Sequence, residues 1–527
     1  MTGGSFSRVG VVGLGTMGAG IAEVLARGGF AVVGIEVNRE ALERGRGNLK
    51  SSTGRAVKRG RLGEDAQREI LGRITLSTDF ADLGDCDLVI EAVPERLDLK
   101  RTVFAELDRV CRDDAVLATN TSSLSVTDIA VTTGRPTKIV GVHFFNPAPV
   151  MRLVEVIGTV LTEPEAVARV AELVEGLGKT PVTIGDRAGF VANRLLFGYL
   201  NQAATMLETG HATRDDIDAA MKAGAGLPMG PFTLMDLIGL DTCLEVLDAI
   251  YAESRDRRHA ASPLLRELVT AGLLGRKTGR GFHTYDKSGP AEEGTSGAAA
   301  PTVGVVGVGP LADAVAALCE RAGGRVGDSA AELAGCDLVI EAAQDPEAAR
   351  ALLSAAVQAA KPGTVIAVTS LDGSADGSAI RQAMATGRPS DVVGLHLLDP
   401  AGALAEMSAT VATDPDVADR AAGLLSRLGL TVVRCRDRAG FIVDALRLPY
   451  LNDAAAMLGA GYADADSIDA AMTLGCGYPT GPIADLDRIG PDRAVAVLRA
   501  LHAETRDPAL APAPLLVEHA TAGRPLR

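Results

Sequence analysis

The chain has 527 residues, a formal net charge of −15, 47 % hydrophobic and 23 % charged residues, which sets an ordinary globular composition and roughly three to five domains. The acidic balance argues against a nucleic-acid partner held by bulk electrostatics, no apolar run reaches the ~18 residues that suggest a membrane helix, and the opening eight residues are too short and too polar for a signal peptide. Seven dispersed cysteines, with no Cys-x-x-Cys pair, suit buried thiols in a reducing cytoplasm and give no metal site.

In chain order, residues 9–12 form an apolar strand that meets Gly13-Leu14-Gly15-Thr16-Met17-Gly18, and residues 19–26 read as a helix. In such a strand–loop–helix, Gly13 allows a tight turn. Gly15 lets backbone approach a pyrophosphate, and Gly18 lets helix pack on strand. The helix N-terminus offers free N–H groups and a partial positive charge to the phosphates. A second strand, 31–35, ends in Glu36, 23 residues after Gly13. That is close to the roughly 20 expected for a ribose-binding acid. A carboxylate there repels a 2′-phosphate, so NAD is favoured over NADP.

Further strands at 88–92, 116–118, 139–142 and 182–184 alternate with helical stretches, the signature of a parallel sheet over residues 1–185. From 186 to 286 helical periodicity dominates, with helices over 190–208 and 214–223 and a start at Thr213 or Arg214-Asp215-Asp216. Residues 287–300, rich in Gly, Ser and Ala, read as a flexible linker. Then the chain repeats itself. Cys86-Asp87-Leu88-Val89-Ile90-Glu91-Ala92 returns 250 residues on, and Asp186-Arg187-Ala188-Gly189-Phe190 and Ile217-Asp218-Ala219-Ala220-Met221 each return 251 residues on. Residues 301–436 thus repeat the sheet domain and 437–527 the helical domain. The first strand is shifted by 294, so the second copy has lost 44 residues between it and the cysteine motif. The loss covers Glu36 and the basic stretch 44–61. The second glycine pattern is also broken: Pro310 interrupts the loop and Ala312 replaces the third glycine. The second copy reads as a fold without a working cofactor site.

Ligands of an open α/β sheet bind beyond the carboxyl ends of the strands. There the first copy places Ser122 and His143. Oxidising an alcohol needs a base for the hydroxyl proton, and histidine suits neutral pH. A carboxylate on the second ring nitrogen fixes its tautomer, and Glu155 is the nearest downstream. Ser122 and Asn193 can hydrogen-bond substrate oxygens. Singly, Ser122 could be a helix cap, His143 structural and Asn193 a surface residue; together they point to a site.

These residues, with Gly13–Gly18 and the stretches 87–95, 119–125, 141–156, 188–196, 224–241 and 275–282, resemble the L-3-hydroxyacyl-CoA dehydrogenase family. The resemblance implies an α/β Rossmann-like NAD-binding domain followed by an all-α C-terminal domain, the pair duplicated and the second copy trimmed. It makes His143 the catalytic base, Glu155 its orienting partner, Ser122 a contact to substrate and nicotinamide, and Asn193 the active-site asparagine. Gly13, Leu14, Gly15, Thr16, Met17, Gly18, Glu36, Glu95, Lys100, Asn146 and Lys277 fall where the family contacts NAD. Ser52 and Arg59 fall where it contacts coenzyme A. Glu36 stands for the more usual aspartate and Arg59 for the more usual lysine.

The second copy keeps His396 but carries Asp399 and Asp444 at the two asparagine positions, and Glu406 matches Glu155 only across a two-residue gap. His396 is therefore expected to be structural. The resemblance implies a cytoplasmic enzyme that interconverts L-3-hydroxyacyl-CoA and 3-oxoacyl-CoA, with a short, neutral acyl chain favoured. Alternatives are a 3-hydroxyadipyl-CoA dehydrogenase and a non-catalytic NAD(H)-binding or crystallin-like protein. Family members resemble dimers that pack through their helical domains. Residues 437–527 are accordingly expected to pack on 186–286 as a pseudo-dimer within one chain, which could itself pair as a homodimer.

Overall fold

The computed structural model describes residues 6–285, 300–327, 329–342, 346–369, 378–398 and 404–527; the linker up to 299 and Asp399 lie outside them. The first sheet is built from β1 (Arg8–Val12), β2 (Ala31–Ile35), β3 (Ile74–Ser77), β4 (Leu88–Glu91), β5 (Val116–Thr119), β6 (Ile139–Phe144), β7 (Leu153–Gly158) and β8 (Thr180–Gly185). Their order is β3-β2-β1-β4-β5-β6-β7-β8. Strand order reverses between β1 and β4, which opens a crevice at their carboxyl ends. β1, β4, β5 and β6 are almost wholly apolar and buried on both faces, as parallel strands covered by helices must be.

The expectation of a parallel sheet needs one correction. β6 and β7 pair antiparallel, with His143 directly opposite Glu155. β3 and β7 are strands beyond those read from the sequence. β3 is only half-buried, so it lacks a continuous apolar signal.

The second sheet comprises β9 (Thr302–Val306), β10 (Arg325–Gly327), β11 (Leu338–Glu341), β12 (Val365–Thr369), β13 (Val392–His396), β14 (Leu404–Ala409) and β15 (Thr431–Arg436), in the order β10-β9-β11-β12-β13-β14-β15. The shortfall in sequence has a clear structural meaning. Among the described residues, the first copy's helices Arg39–Lys58 and Glu64–Gly72 and strand β3 have no equivalents; after β10 the next element is the short turn Ala330–Leu333, the counterpart of Phe80–Leu83 in the first copy. Pro310 does not interrupt the loop as expected. It is the first residue of helix Pro310–Arg321, a position where its missing N–H costs little.

By contacts the described chain forms two compact units, and neither coincides with one copy. One unit takes residues 1–196, 248–255 and 457–484; the other takes 197–247, 256–456 and 485–527. The first unit thus contains the whole first sheet together with a helical segment of the second copy. In the other unit, helical residues of both copies are bonded to each other. Gln202 donates to the Ala445 carbonyl (2.8 Å), Arg258 pairs with Asp453, and the Tyr199 and Tyr450 rings lie 6.2 Å apart. All seven cysteines are free, and six are buried. Among the described residues, no helix is long and apolar enough to cross a membrane, and no group of three metal-ligating side chains occurs.

Candidate active site

The glycine loop carries β1 into helix Thr16–Arg27. Gly13 adopts φ +85°, and a Cβ there would stand 2.9 Å from the Ala92 carbonyl oxygen. A Cβ on Gly18 would sit 1.7 Å from the Gly13 carbonyl oxygen, so the turn and the helix start require glycine together. Gly15 differs: a Cβ there meets no protein atom within 4 Å. Protein packing does not ask for glycine at that point, whereas a closely approaching ligand would.

The loop lines a cavity of about 1300 Å³, with Leu14, Thr16, Met17, Glu36, Val93 and Pro94 among its walls. Glu36 Oε1 accepts the Leu14 N–H at 2.7 Å, so the acid at the end of β2 also fixes the loop. Size, glycine cradle and carboxylate fit an adenine dinucleotide with a free ribose 2′-hydroxyl. Glu36→Ala is expected to weaken NAD more than NADP, read from the two dissociation constants; equal losses would remove the ribose argument.

Next to this cavity the β5 and β6 ends meet. Ser122 Oγ lies 3.1 Å from His143 Nε2, and His143 Nδ1 lies 2.7 Å from Glu155 Oε2. Ser122 is not a helix cap: that role falls to Ser125, which accepts the Asp128 N–H. His143 is 4 % exposed and Glu155 wholly buried. Glu155 Oε1 accepts the N–H groups of Val191 and Ala192, both at 3.1 Å. One carboxylate therefore orients the imidazole and anchors the start of helix Ala192–Glu208, which carries half-buried Asn193. Phe145 and Phe190 flank the imidazole at 4.5 and 5.6 Å between ring centroids. Phe190 holds φ +48°, a conformation that a bulky residue rarely adopts and that the surroundings must enforce.

The other expected residues divide. Glu95 accepts the Thr121 hydroxyl (2.5 Å) and the Ser122 N–H (2.9 Å), and so secures the loop that presents Ser122. Lys100 is completely buried: its ammonium binds Glu91 at 2.8 and 3.0 Å, the Asn120 carbonyl at 3.2 Å and Glu95 at 3.5 Å. Asn146 is exposed just beyond β6. Lys277 belongs to the other unit, where its ammonium binds Asp241 at 2.5 Å. Ser52 and Arg59 do meet, with Arg27, Arg55, Arg61 and Glu23, around a cavity of about 220 Å³.

Sequence reasoning missed two supporting residues. Glu91, at the end of β4, takes Lys100 and the Thr119 hydroxyl (2.7 Å). Asn120 Oδ1 accepts the Phe144 N–H at 3.0 Å and so holds β6 in place beside His143. The sequence signals for Glu91 are its return as Glu341 in the repeat and its place in the stretch 87–95.

In the second copy Glu406 does take the place of Glu155. It faces His396 across β13 and β14 at 2.7 Å and accepts the Ile442 and Val443 N–H groups, both at 2.9 Å. The surroundings differ. Asp444 Oδ2 lies 3.8 Å from His396 Nε2 and is held by Arg493 at 2.8 Å. The glycine loop is changed as well. With Ala312 where Gly18 stands in the first copy, φ at Gly307 opens to +143°. His396→Ala is expected to leave turnover within about twofold of wild type, checked by steady-state rates; a loss like that expected for His143→Ala would make the second copy catalytic.

Comparison with known proteins decides the lineage. The family model for the 3-hydroxyacyl-CoA dehydrogenase NAD-binding domain matches residues 8–187 and 323–438, and that for the C-terminal domain matches 189–285 and 440–527. The chain belongs to the 3-hydroxyacyl-CoA dehydrogenase family. It is 34 % identical to the 3-hydroxyadipyl-CoA dehydrogenase of Escherichia coli K12 over 97 % of each chain. It is 45 % identical, over 53 % of its own length and all of the relative's, to a probable 3-hydroxybutyryl-CoA dehydrogenase of Deinococcus radiodurans. A crystal structure titled 3-hydroxybutyryl-CoA dehydrogenase from Escherichia coli K12 superposes with a TM-score of 0.80 at 32 % identity, covering 98 % of this chain and 99 % of that one. As a 3-hydroxyacyl-CoA dehydrogenase, the chain uses NAD, and the cavity around Gly13–Gly18 has the size and chemistry to hold it.

Proposed function

We propose that the first copy interconverts short-chain L-3-hydroxyacyl-CoA and 3-oxoacyl-CoA with His143 as general base. The overall class, NAD-dependent dehydrogenation of a 3-hydroxyacyl-CoA, follows from the family. The single observation that carries the catalytic assignment is the line Ser122–His143–Glu155, with polar contacts of 3.1 and 2.7 Å. With Nδ1–H donated to Glu155, His143 Nε2 keeps its lone pair toward Ser122 and the open end of the site. That nitrogen takes the proton of the substrate 3-hydroxyl, and Glu155 stabilises the imidazolium that forms. Ser122 and Asn193 orient the substrate oxygens. Bound NAD supplies the two-electron acceptor. In the reverse direction the imidazolium returns its proton to the forming alkoxide.

The nucleotide end of coenzyme A is assigned to the cavity around Ser52 and Arg59. Four arginines, Arg27, Arg55, Arg59 and Arg61, line it together with one carboxylate, Glu23, which pairs with Arg27, and planar guanidinium forks match phosphate oxygens. The second copy contributes no second reaction centre; its helical residues stand where a dimer partner's would, as the Gln202–Ala445 and Arg258–Asp453 contacts support.

The relative matching both copies is named for an adipyl substrate, so a dicarboxylic chain is the alternative. Initial rates at 340 nm with NADH over a series of 3-oxoacyl-CoA thioesters, one of them dicarboxylic, separate the two. The highest kcat/KM is expected on acetoacetyl-CoA. A clear preference for the dicarboxylic thioester would overturn the short-chain assignment, and NADH binding without oxidation on any thioester would overturn catalysis itself.

A further inference from the structure

We infer that the second copy supplies a positioning residue to the first copy's catalytic centre: Gly475, which backs Phe145 and, through it, His143. The inference rests on the catalytic reading of His143 given above. Residues 457–484 of the second copy pack with the first sheet, in the same compact unit. Within that segment, Ala471–Gly475 forms a π-helical turn, a rare conformation that recurs at functional positions. Tyr462 tethers the segment to the end of β8 by donating its hydroxyl to the Gly185 carbonyl at 3.0 Å.

Gly475 lies against the catalytic strands. A Cβ there would stand 2.6 Å from Leu153 Cδ2 and 3.4 and 3.5 Å from Phe145 Cε1 and Cζ. Its backbone is not left-handed, so a Cβ there must displace the Leu153 methyl, while it meets the Phe145 ring at ordinary contact distance. Those neighbours lead to both members of the dyad. Phe145 packs on the His143 ring at 4.5 Å between centroids. Leu153 lies two residues before Glu155, hence on the same face of β7. A branched side chain at 475 therefore displaces Leu153 and reaches the Phe145 ring that packs on the imidazole. The duplication provides an internal control. Gly224, the matching glycine of the first copy, lies in the other unit, where a Cβ would stand 2.7 Å from both Leu404 Cδ2 and Val443 Cγ2. Those neighbours belong to the copy with the altered nucleotide loop.

The test compares Gly475→Val and Gly224→Val in the full chain, with acetoacetyl-CoA and NADH as substrates. Misplacing a reacting group by about 1 Å costs on the order of 10²-fold. Gly475→Val is expected to lower kcat by about 10–100-fold on that scale, with the KM for NADH nearly unchanged. Gly224→Val is expected to melt at a lower temperature but to keep its kcat. Leu153→Ala added to Gly475→Ala opens the space that the new methyl needs, and should restore most of the kcat lost in the single variant. Equal losses of kcat in the two valine variants, unchanged kcat in Gly475→Val, or no rescue by Leu153→Ala would each overturn the inference. If Gly475→Val does not fold, the alanine pair decides alone. Failure of the parent reading shows separately, as full turnover in His143→Ala.

Discussion

Replacing His143 with alanine is expected to cut turnover by about 10²–10⁴-fold, the usual contribution of a positioned acid–base group. NADH affinity should hardly change. No atom of His143 lines the dinucleotide cavity, and the Glu155 bonds to the Val191 and Ala192 N–H groups do not involve the ring. Stopped-flow reduction of acetoacetyl-CoA, alongside fluorescence titration of NADH, separates the two effects. Turnover near wild type would leave the Ser122–His143 contact without a catalytic meaning.

Glu155→Gln should cost as much, by a different route. The buried carboxylate has both oxygens occupied. A glutamine can keep its oxygen on the Val191 and Ala192 N–H groups only by turning its amide N–H toward His143 Nδ1. Nδ1 then becomes the acceptor and Nε2 carries the hydrogen, so Nε2 can no longer take the substrate's proton. In serine proteases this tautomer error costs about 10⁴ in kcat, and a loss of about 10³–10⁴-fold is expected here on the same argument. Glu406→Gln makes the same change beside His396 and should lower only the melting temperature. A Glu155→Gln enzyme with normal kcat and a normal pH profile would show that the carboxylate merely anchors the helix.

The proposed nucleotide site was legible because its parts are local. Gly13, Gly15, Gly18 and the acid at position 36 lie within one strand–helix–strand, and spacing alone brings them together. Ser122 and His143 were legible as strand-end residues on the same logic. Glu155 was readable only as the nearest carboxylate. What makes it the partner is the antiparallel return of β7, and no pattern in residues 145–152 announces that reversal. Lys100 shows another limit: the family resemblance implies a cofactor contact for it, and no sequence pattern announces that its buried ammonium also binds Glu91. The placement of residues 457–484 beside the first sheet could not be read at all. Two helical repeats that share the same motifs offer similar faces, so the sequence does not say which copy of a helix covers which sheet.

That borrowed segment has a consequence for how the activity should respond to dilution. In an enzyme assembled from separate subunits, a wall lent by the neighbour is lost when the protein falls below its dissociation constant. Here lender and borrower are one polypeptide, so the local concentration of the segment does not depend on the bulk concentration. Fusion also ends the obligation to keep the two halves alike. A substitution in one copy no longer appears twice, which leaves the second copy free to lose the counterparts of β3 and of helices Arg39–Lys58 and Glu64–Gly72 while still holding the first in shape.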